Sequence, residues 1–138
     1  MVPEIIQDFI SSGQLEENSN AVYNFMISPD VNETMRPDVG KASFCTNYCG
    51  YHVSWKLASD TRIFYSIAGN SDACPDSCGA VGNERASPNG DIGVDSLIST
   101  VAHELAEAVS DPNSDGLRSW YDIAGNENAD KCAVSEFS

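Results

Sequence analysis

Apolar residues recur with helical spacing in two parts of the chain. Near the N-terminus, the spacing predicts a short helix between Pro3 and Gly13, two residue types that commonly flank a helix. Its apolar residues are Ile5, Ile6, Phe9 and Ile10. The longer pattern predicts a helix over 94–109, with Asp91 or Asp95 near its start and Pro112 preventing much extension beyond Ser110.

The apolar residues of this second helix form one stripe when each residue advances by about 100°. We expect the stripe to face the core. His103, Glu107 and Thr100 project roughly from the opposite side, so a core on one side only would leave them exposed to solvent. The stripe consists of Val94, Leu97, Ile98, Val101, Ala102, Leu105, Ala108 and Val109.

Three segments have the composition of strands. Residues 21–28 are rich in strand formers, and residues 51–57 alternate between apolar and polar positions, with His52 on the polar face. A turn at 58–61 leads to a third segment, 62–69, so the last two are expected to form a hairpin. The remaining segments, 29–43, 70–91 and 113–130, are predicted as loops, with 119–121 as a short strand or an aromatic anchor.

These elements predict an α/β (or α+β) fold in which a central sheet packs against the long helix, with a zincin-like organisation as one option. The length of 138 residues corresponds to one ordinary domain, 1–138. The final residues, CAVSEFS, show no terminating element. We therefore expect a single domain that is truncated at one or both termini.

The charge balance excludes some partners. Seven Lys and Arg residues stand against 21 Asp and Glu residues, a net charge of −14 that would repel nucleic acid and anionic lipid surfaces. No apolar run is long enough for a membrane span, and the acidic N-terminus does not have the features of a signal peptide. Carboxylates do suit hard divalent cations such as calcium.

The five cysteines favour disulfides and therefore an extracellular location. Cys45 and Cys49 form one C-x3-C pair, Cys74 and Cys78 form another, and Cys132 is left over. Structural zinc usually prefers C-x2-C spacing, so bridges are the preferred interpretation, either within each pair or crossed between the pairs. Asn32 begins an N-x-T sequence and is a candidate glycosylation site, in agreement with secretion.

The predicted long helix carries the main candidate site, the string H-E-x-x-E. His103 and Glu107 are four residues apart, so their side chains lie about one turn apart on one face and can share an ion. The string differs from the zincin string H-E-x-x-H in one ligand. In a hydrolase of that kind, Glu104 would be the general base acting on a metal-bound water.

A third ligand has to come from elsewhere. Asp111 would lie about 12 Å from His103 along a straight helix and could help only if the helix unwinds. The turn-rich segment after the helix offers Asp122, Glu127 and Asp130, which are candidate ligands and could also hold calcium as a loop on their own. His52 is the other histidine and could complete a site from its strand. The metal is expected to be zinc or calcium.

A further pattern is formed by five segments in a fixed order, namely 20–23, 44–52, 69–78, 86–95 and 110–112. These segments resemble the plant phosphate-induced protein 1 and exordium-like family. Nearly the whole chain is covered, and the segments occur in the family's order. His103, Glu104 and Glu107 fall where the plant proteins carry aliphatic and small residues, so the chain looks closer to microbial or algal relatives.

The resemblance implies an extracellular, cell-wall-associated protein linked to growth and nutrient response, without an established enzymatic activity. It also implies that the family's proteins continue beyond Cys132. The leading hypothesis is a secreted matrix or surface protein with a metal on His103 and Glu107. The alternatives are a zincin-like metallohydrolase and a calcium-stabilised structural protein that self-associates or binds extracellular polysaccharide.

Overall fold

The computed structural model describes residues 2–35, 42–79, 87–112 and 119–133. A three-stranded sheet is combined with helices, which confirms the predicted mixed fold of a sheet packed against a long helix. All three predicted strands and both predicted helices are present. The elements in chain order are α1 Val2–Ser11, β1 Val22–Ile27, β2 Gly50–Lys56, β3 Arg62–Gly69, a 3-10 turn Ser71–Ala73, α2 Pro75–Cys78, α3 Ile92–Ser110 and α4 Asp130–Ala133.

The third strand is the centre of the sheet. The strand order is β1-β3-β2, with β1 parallel and β2 antiparallel to β3. The predicted hairpin of β2 and β3 is confirmed, and Asp60 in its turn has a positive φ of 73°. Ser66 lies opposite Asn24 on one side and His52 on the other, so these three side chains form a row across one face.

The odd-numbered strand residues form the apolar core. Ile6 of α1 is fully buried among them, and Val2 and Ile10 pack against the same cluster. Because strand side chains alternate between faces, this core occupies one side of the sheet only. Its buried members are Ile6, Ile27, Leu57, Ile63, Tyr65 and Ile67.

Helix α3 packs against β2 and β3, on the even-numbered face of the sheet. This face includes small and polar residues: Ser66 Oγ donates to Asn24 Oδ1 at 2.6 Å, and Gly50 lies directly beneath the helix. A Cβ atom on Gly50 would come within 2.5 Å of Thr100 Cγ2 and 2.6 Å of the Ile67 carbonyl oxygen. The absence of a side chain at residue 50 therefore permits the close approach of α3.

The start of α3 is fixed by two carboxylates. Asp91 is the N-cap, and its side chain accepts a hydrogen bond from the Val94 N–H at 3.0 Å. Asp95 is buried and accepts hydrogen bonds from Ser87 and Asn89. The helix ends at Ser110, as predicted from Pro112.

The predicted orientation of α3 is wrong. Ile98 is 53% exposed and Val109 is 74% exposed, although both belong to the apolar stripe. The buried side of the helix is mainly small or polar. It comprises Gly93, Asp95, Ser96, Glu104, Glu107 and Ala108. The reason lies in the sheet, since the face that receives α3 is itself small and polar and can pair with buried carboxylates.

The segment predicted as loop over 70–91 contains the 3-10 turn and α2, joined to residues 45–49 by two disulfides. Cys45 is bonded to Cys74 and Cys49 to Cys78, so the crossed arrangement is the one found. Trp120 and Tyr121 are about half exposed and form no strand. Within the described parts of the chain, no helix combines the length and apolar character needed to cross a membrane.

Candidate metal centre

The site is built between the buried side of α3 and the polar face of the sheet. Glu104 and Glu107 are 5% and 4% exposed, whereas a core on the apolar side of α3 alone would have left Glu107 in solvent. His52 extends from β2 towards both carboxylates. Burial of two carboxylates is costly unless charged or polar groups surround them. The contacts of these residues therefore determine the chemistry of the region.

The first group of candidate ligands, which we name the inner cluster, consists of His52, Glu104 and Glu107. His52 Nδ1 lies 3.4 Å from Glu104 Oε2 and 3.6 Å from Glu107 Oε2. One candidate ligand atom from each residue lies within 4.8 Å of the other two. Such a spacing allows three ligands to converge on one divalent cation.

His52 is surrounded by hydrogen-bond acceptors at both ring nitrogens. Nε2 lies 3.1 Å from the Asp111 carbonyl oxygen and 3.6 Å from Glu127 Oε1, while Nδ1 faces the two glutamates. Burial alone lowers the pKa of His52, but the hydrogen bonds to Glu104 and Glu107 outweigh it and raise the pKa to about 10. Without a metal, His52 is therefore an imidazolium that donates from both nitrogens.

The second group, which we name the outer cluster, consists of His103, Glu107 and Asp130. His103 Nε2 lies 3.0 Å from Glu107 Oε1 and 3.5 Å from Asp130 Oδ1. These candidate ligand atoms also lie within 4.8 Å of one another. The side chains of His103 and Asp130 are 27% and 38% exposed, so an ion can reach this cluster from solvent.

Asp130 is brought to α3 by the segment that precedes α4. Asn128 Nδ2 donates to the Ala106 carbonyl oxygen at 3.3 Å and attaches this segment to the helix. The Glu127 N–H donates to Asp130 Oδ2 at 2.9 Å, which leaves Oδ1 directed at His103. The structure thus brings together three residues that the sequence proposed for one site, His103, Glu107 and Asp130.

The carboxylates have different electrostatic environments. Burial raises the pKa of Glu104, and the contact with His52 only partly offsets this. Burial also favours the neutral form of Glu107, but the contacts with His103 and His52 outweigh it and lower its pKa. The Glu107 carboxylate in turn raises the pKa of His103. Glu107 is therefore an anion held between two imidazole groups.

Glu107 Oε1 is a buried oxygen with incomplete coordination. Although His103 Nε2 is nearby, this oxygen has no well-directed hydrogen bond among the described residues. Buried polar atoms without a partner are rare and call for an explanation, such as a bound ion. The atom lies inside the outer cluster, so a cation there would supply the missing partner.

The other proposed ligands lie outside both clusters. Asp111 is buried, and its Oδ1 accepts a hydrogen bond from the Ser119 N–H at 2.7 Å. Asp122 accepts N–H groups from Ala124 and Asn126 and pairs with Lys131, which lowers the pKa of Asp122. Glu127 is adjacent to the inner cluster through His52, and burial raises its pKa.

His52 was the residue that sequence reasoning undervalued. The alternation in β2 correctly assigned it to the polar face of the strand. That pattern could not show that the polar side of α3 covers this face, because strand order and helix orientation are tertiary features. One histidine from the sheet and one from the helix therefore contact the same glutamate.

Comparison with known proteins places the chain in a family. Residues 3–136 match the family model described as the phosphate-induced protein 1 conserved region. The chain belongs to the phosphate-induced protein 1 family. No solved structure matches this phosphate-induced protein 1 domain significantly.

The family assignment agrees with the curated relatives. The chain is 34% identical over 110 residues to Protein EXORDIUM-like 3 of Arabidopsis thaliana, covering 69% of this chain and 32% of that protein. It is 30% identical over 118 residues to Protein EXORDIUM-like 5 of the same plant, covering 76% and 30%. The chain thus spans about a third of the length of these relatives in the phosphate-induced protein 1 family. The family and the disulfides are compatible with an extracellular protein.

Proposed function

We propose that this chain is a secreted, extracellular member of the phosphate-induced protein 1 family that binds a divalent cation of the zinc type in the outer cluster. The observation that carries the proposal is the convergence of His103, Glu107 and Asp130 around the buried Glu107 Oε1, which has no well-directed hydrogen bond within the parts of the chain that the structure describes. One imidazole and two carboxylates suit zinc and other first-row divalent ions.

The ligand chemistry supports zinc over calcium. Calcium takes six to eight oxygen ligands, whereas the outer cluster offers a nitrogen and two carboxylates. Zinc in catalytic sites commonly takes three protein ligands and leaves one position for water or substrate. A zinc ion bound here would therefore keep a coordination position open towards solvent, on the side where His103 and Asp130 are exposed.

The metal proposal is tested on protein stripped with a chelator and titrated calorimetrically with Zn²⁺ and, separately, with Ca²⁺. We expect Zn²⁺ to bind stoichiometrically and Ca²⁺ to bind much more weakly. His103→Gln and Asp130→Asn should each weaken this site at least tenfold. Asp8→Asn removes an exposed carboxylate on α1 and should leave the Zn²⁺ affinity unchanged. The same affinity in His103→Gln as in the native chain would refute the outer site.

A metallohydrolase is the second candidate, favoured by one specific observation. Glu104 follows His103 directly, and its burial raises its pKa, which makes the carboxylate a stronger base. Glu104→Gln should then abolish hydrolysis of a peptide or ester substrate while leaving metal content unchanged. Hydrolysis at the native rate in this variant would exclude the role.

Secretion is supported by two disulfides and by the exposed Asn32 of the glycosylation sequence. When the chain is expressed through a eukaryotic secretory pathway, we expect a glycan on Asn32. Treatment with an N-glycosidase should reduce the mass of the native chain, and Asn32→Gln should remove that reduction. If the secreted chain has its unmodified mass, Asn32 is not glycosylated and the sequon no longer supports secretion.

A further inference from the structure

The two oxygens of Glu107 face two different histidines. Oε1 lies 3.0 Å from His103 Nε2, and Oε2 lies 3.6 Å from His52 Nδ1. Each histidine has a further carboxylate beside it, Asp130 for His103 and Glu104 for His52. The two clusters therefore have the same composition of one imidazole, one terminal carboxylate and the shared Glu107.

The inner cluster has the features of a built site. Glu104 and Glu107 are both more than nine-tenths buried, and they lie on the side of α3 that faces the sheet. Gly50 gives the space for this arrangement, because a Cβ atom there would lie 2.8 Å from Glu104 Oε1. The helix, the strand and a glycine between them thus hold the inner carboxylates in place.

The second ring nitrogen of His52 supports a role as a ligand. Histidines that bind a metal through one nitrogen usually donate the other N–H to a backbone carbonyl or a carboxylate, which fixes the ring and its tautomer. His52 Nε2 lies 3.1 Å from the Asp111 carbonyl oxygen and 3.6 Å from Glu127 Oε1. Its Nδ1 is directed at the inner carboxylates, as a metal ligand would be.

From these contacts we infer a two-ion centre in which a second divalent cation of the zinc or manganese class binds His52 Nδ1, Glu104 and Glu107 Oε2. Glu107 bridges this ion and the one in the outer cluster, with one oxygen on each. Carboxylates bridge ion pairs in this way in two-metal sites, where the ions lie about 3.5–4 Å apart. The inference rests on the proposed function for the outer ion.

The second ion changes the role of Glu104. In a single-ion hydrolase, Glu104 is a general base and is not needed for metal binding. In the two-ion centre, Glu104 is a ligand of the inner ion, and its loss removes that ion. The rival arrangement is a protonated His52 that remains the permanent cation of the inner cluster, with no place for a metal.

The experiment is a measurement of metal stoichiometry on chelator-stripped native protein reloaded with Zn²⁺, together with electron paramagnetic resonance of Mn²⁺-loaded samples. We expect two zinc ions per native chain and a spin-coupled Mn²⁺ pair. His52→Gln and Glu104→Gln should each retain one ion and lose the coupling. His103→Gln should retain the inner ion only, and Glu107→Gln should weaken both. Asp8→Asn should keep both ions.

The outcomes separate the two proposals. One ion per native chain, lost in His103→Gln and kept in His52→Gln, would overturn the two-ion centre and leave the outer site intact. No bound ion in the native chain would overturn both. Circular dichroism of each stripped variant identifies any that fails to fold. If His52→Gln and Glu104→Gln do not fold, the native protein still provides a test. One zinc ion per native chain and an uncoupled Mn²⁺ spectrum would overturn the inference.

Discussion

At the scale of single residues, the charge state of His52 makes stability depend on pH in metal-free protein. Its partners Glu104 and Glu107 on α3 and Glu127 in the following segment raise its pKa from 6.5 to about 10. A group whose pKa is higher in the folded state than in the unfolded state stabilises the fold. This stabilisation is complete at pH values below the pKa of the unfolded state. This contribution is lost as pH rises from about 6.5 to about 10, by at most about 1.4 kcal/mol per pH unit.

We therefore expect the unfolding free energy of the chelator-treated protein to fall over this pH interval, as measured by urea denaturation. His52→Gln should make the dependence shallower. Some slope should remain, because the pKa of His103 is also raised by Glu107. A profile that is identical in the native chain and in His52→Gln would show that His52 does not carry the charge described above.

Gly50 is a residue at which a single added methyl group should be costly. An alanine Cβ would meet Thr100 Cγ2 at 2.5 Å and the Ile67 carbonyl oxygen at 2.6 Å, and the backbone atom cannot move aside cheaply. Gly50→Ala should destabilise the fold by roughly 1–3 kcal/mol, the usual range for an overpacked core. Adding Thr100→Ser removes the nearer methyl group and should recover part of the loss in thermal denaturation. A lack of any loss would contradict the close approach of α3.

At the scale of elements, the orientation of α3 is open to a matched test. Ile98 lies on the exposed side and Ala108 on the buried side. Ile98→Gln should change the unfolding free energy by less than about 0.5 kcal/mol, as is usual for surface positions. Ala108→Gln should cost roughly 1–3 kcal/mol, because it enlarges a buried side chain. Urea denaturation in the presence of a chelator measures the unfolding free energies of both variants. A larger loss in Ile98→Gln than in Ala108→Gln would show that the apolar stripe faces the core.

This orientation also marks the boundary of what the sequence could predict. The helix ends were readable because Asp91 caps the first turn and Pro112 limits extension, both of which are local effects. Strand alternation correctly separated His52 from Tyr51 and Val53. The stripe rule failed because it assumes that helices bury apolar residues, whereas the sheet face under α3 holds Ser66 and Asn24. Which face of the sheet packs against which side of α3 is decided by the tertiary structure and cannot be read from a local pattern.

The residues of the candidate site likewise divide into those that a local pattern identifies and those that only the tertiary structure brings together. His103 and Glu107 were readable from their four-residue spacing, which helical geometry converts into proximity. Asp130 was one of three candidates in a turn-rich segment, and only the attachment of Asn128 to Ala106 selects it. His52 reaches the site through the strand order β1-β3-β2, which no local pattern encodes.

At the scale of the whole molecule, the two faces of the sheet differ in the kind of residue that they bury. The odd-numbered face holds the apolar core beneath α1, and the even-numbered face holds the ionisable groups beneath α3. The apolar core can stabilise the fold without any metal, while an ion bound as proposed would add stability on the opposite side through linkage. Loss of metal should therefore lower thermal stability without unfolding the chain. Thermal denaturation with and without Zn²⁺ measures this difference, and unfolding on chelation alone would contradict it.

The disulfides join the segment before β2 to the segment after β3, and proteolysis can test their connectivity. Trypsin should produce one peptide with Cys45 and Cys49 and another with Cys74 and Cys78, because Lys56, Arg62 and Arg85 provide cleavage sites between and after them. With the crossed bridges of the structure, the two peptides remain linked until reduction. Bridges within each pair would leave the peptides separate.

A second digestion resolves the two crossed alternatives. Cleavage after Tyr48 and before Asp76 separates the cysteines within each peptide. The fragments with Cys45 and Cys74 should then remain joined, as should those with Cys49 and Cys78. Each bridge closes a sequence separation of 29 residues, and removal of one such bridge typically costs about 2–5 kcal/mol. Because Gly50 and β2 follow Cys49 directly, we expect the double variant Cys49→Ser, Cys78→Ser to bind Zn²⁺ more weakly as well as to melt earlier.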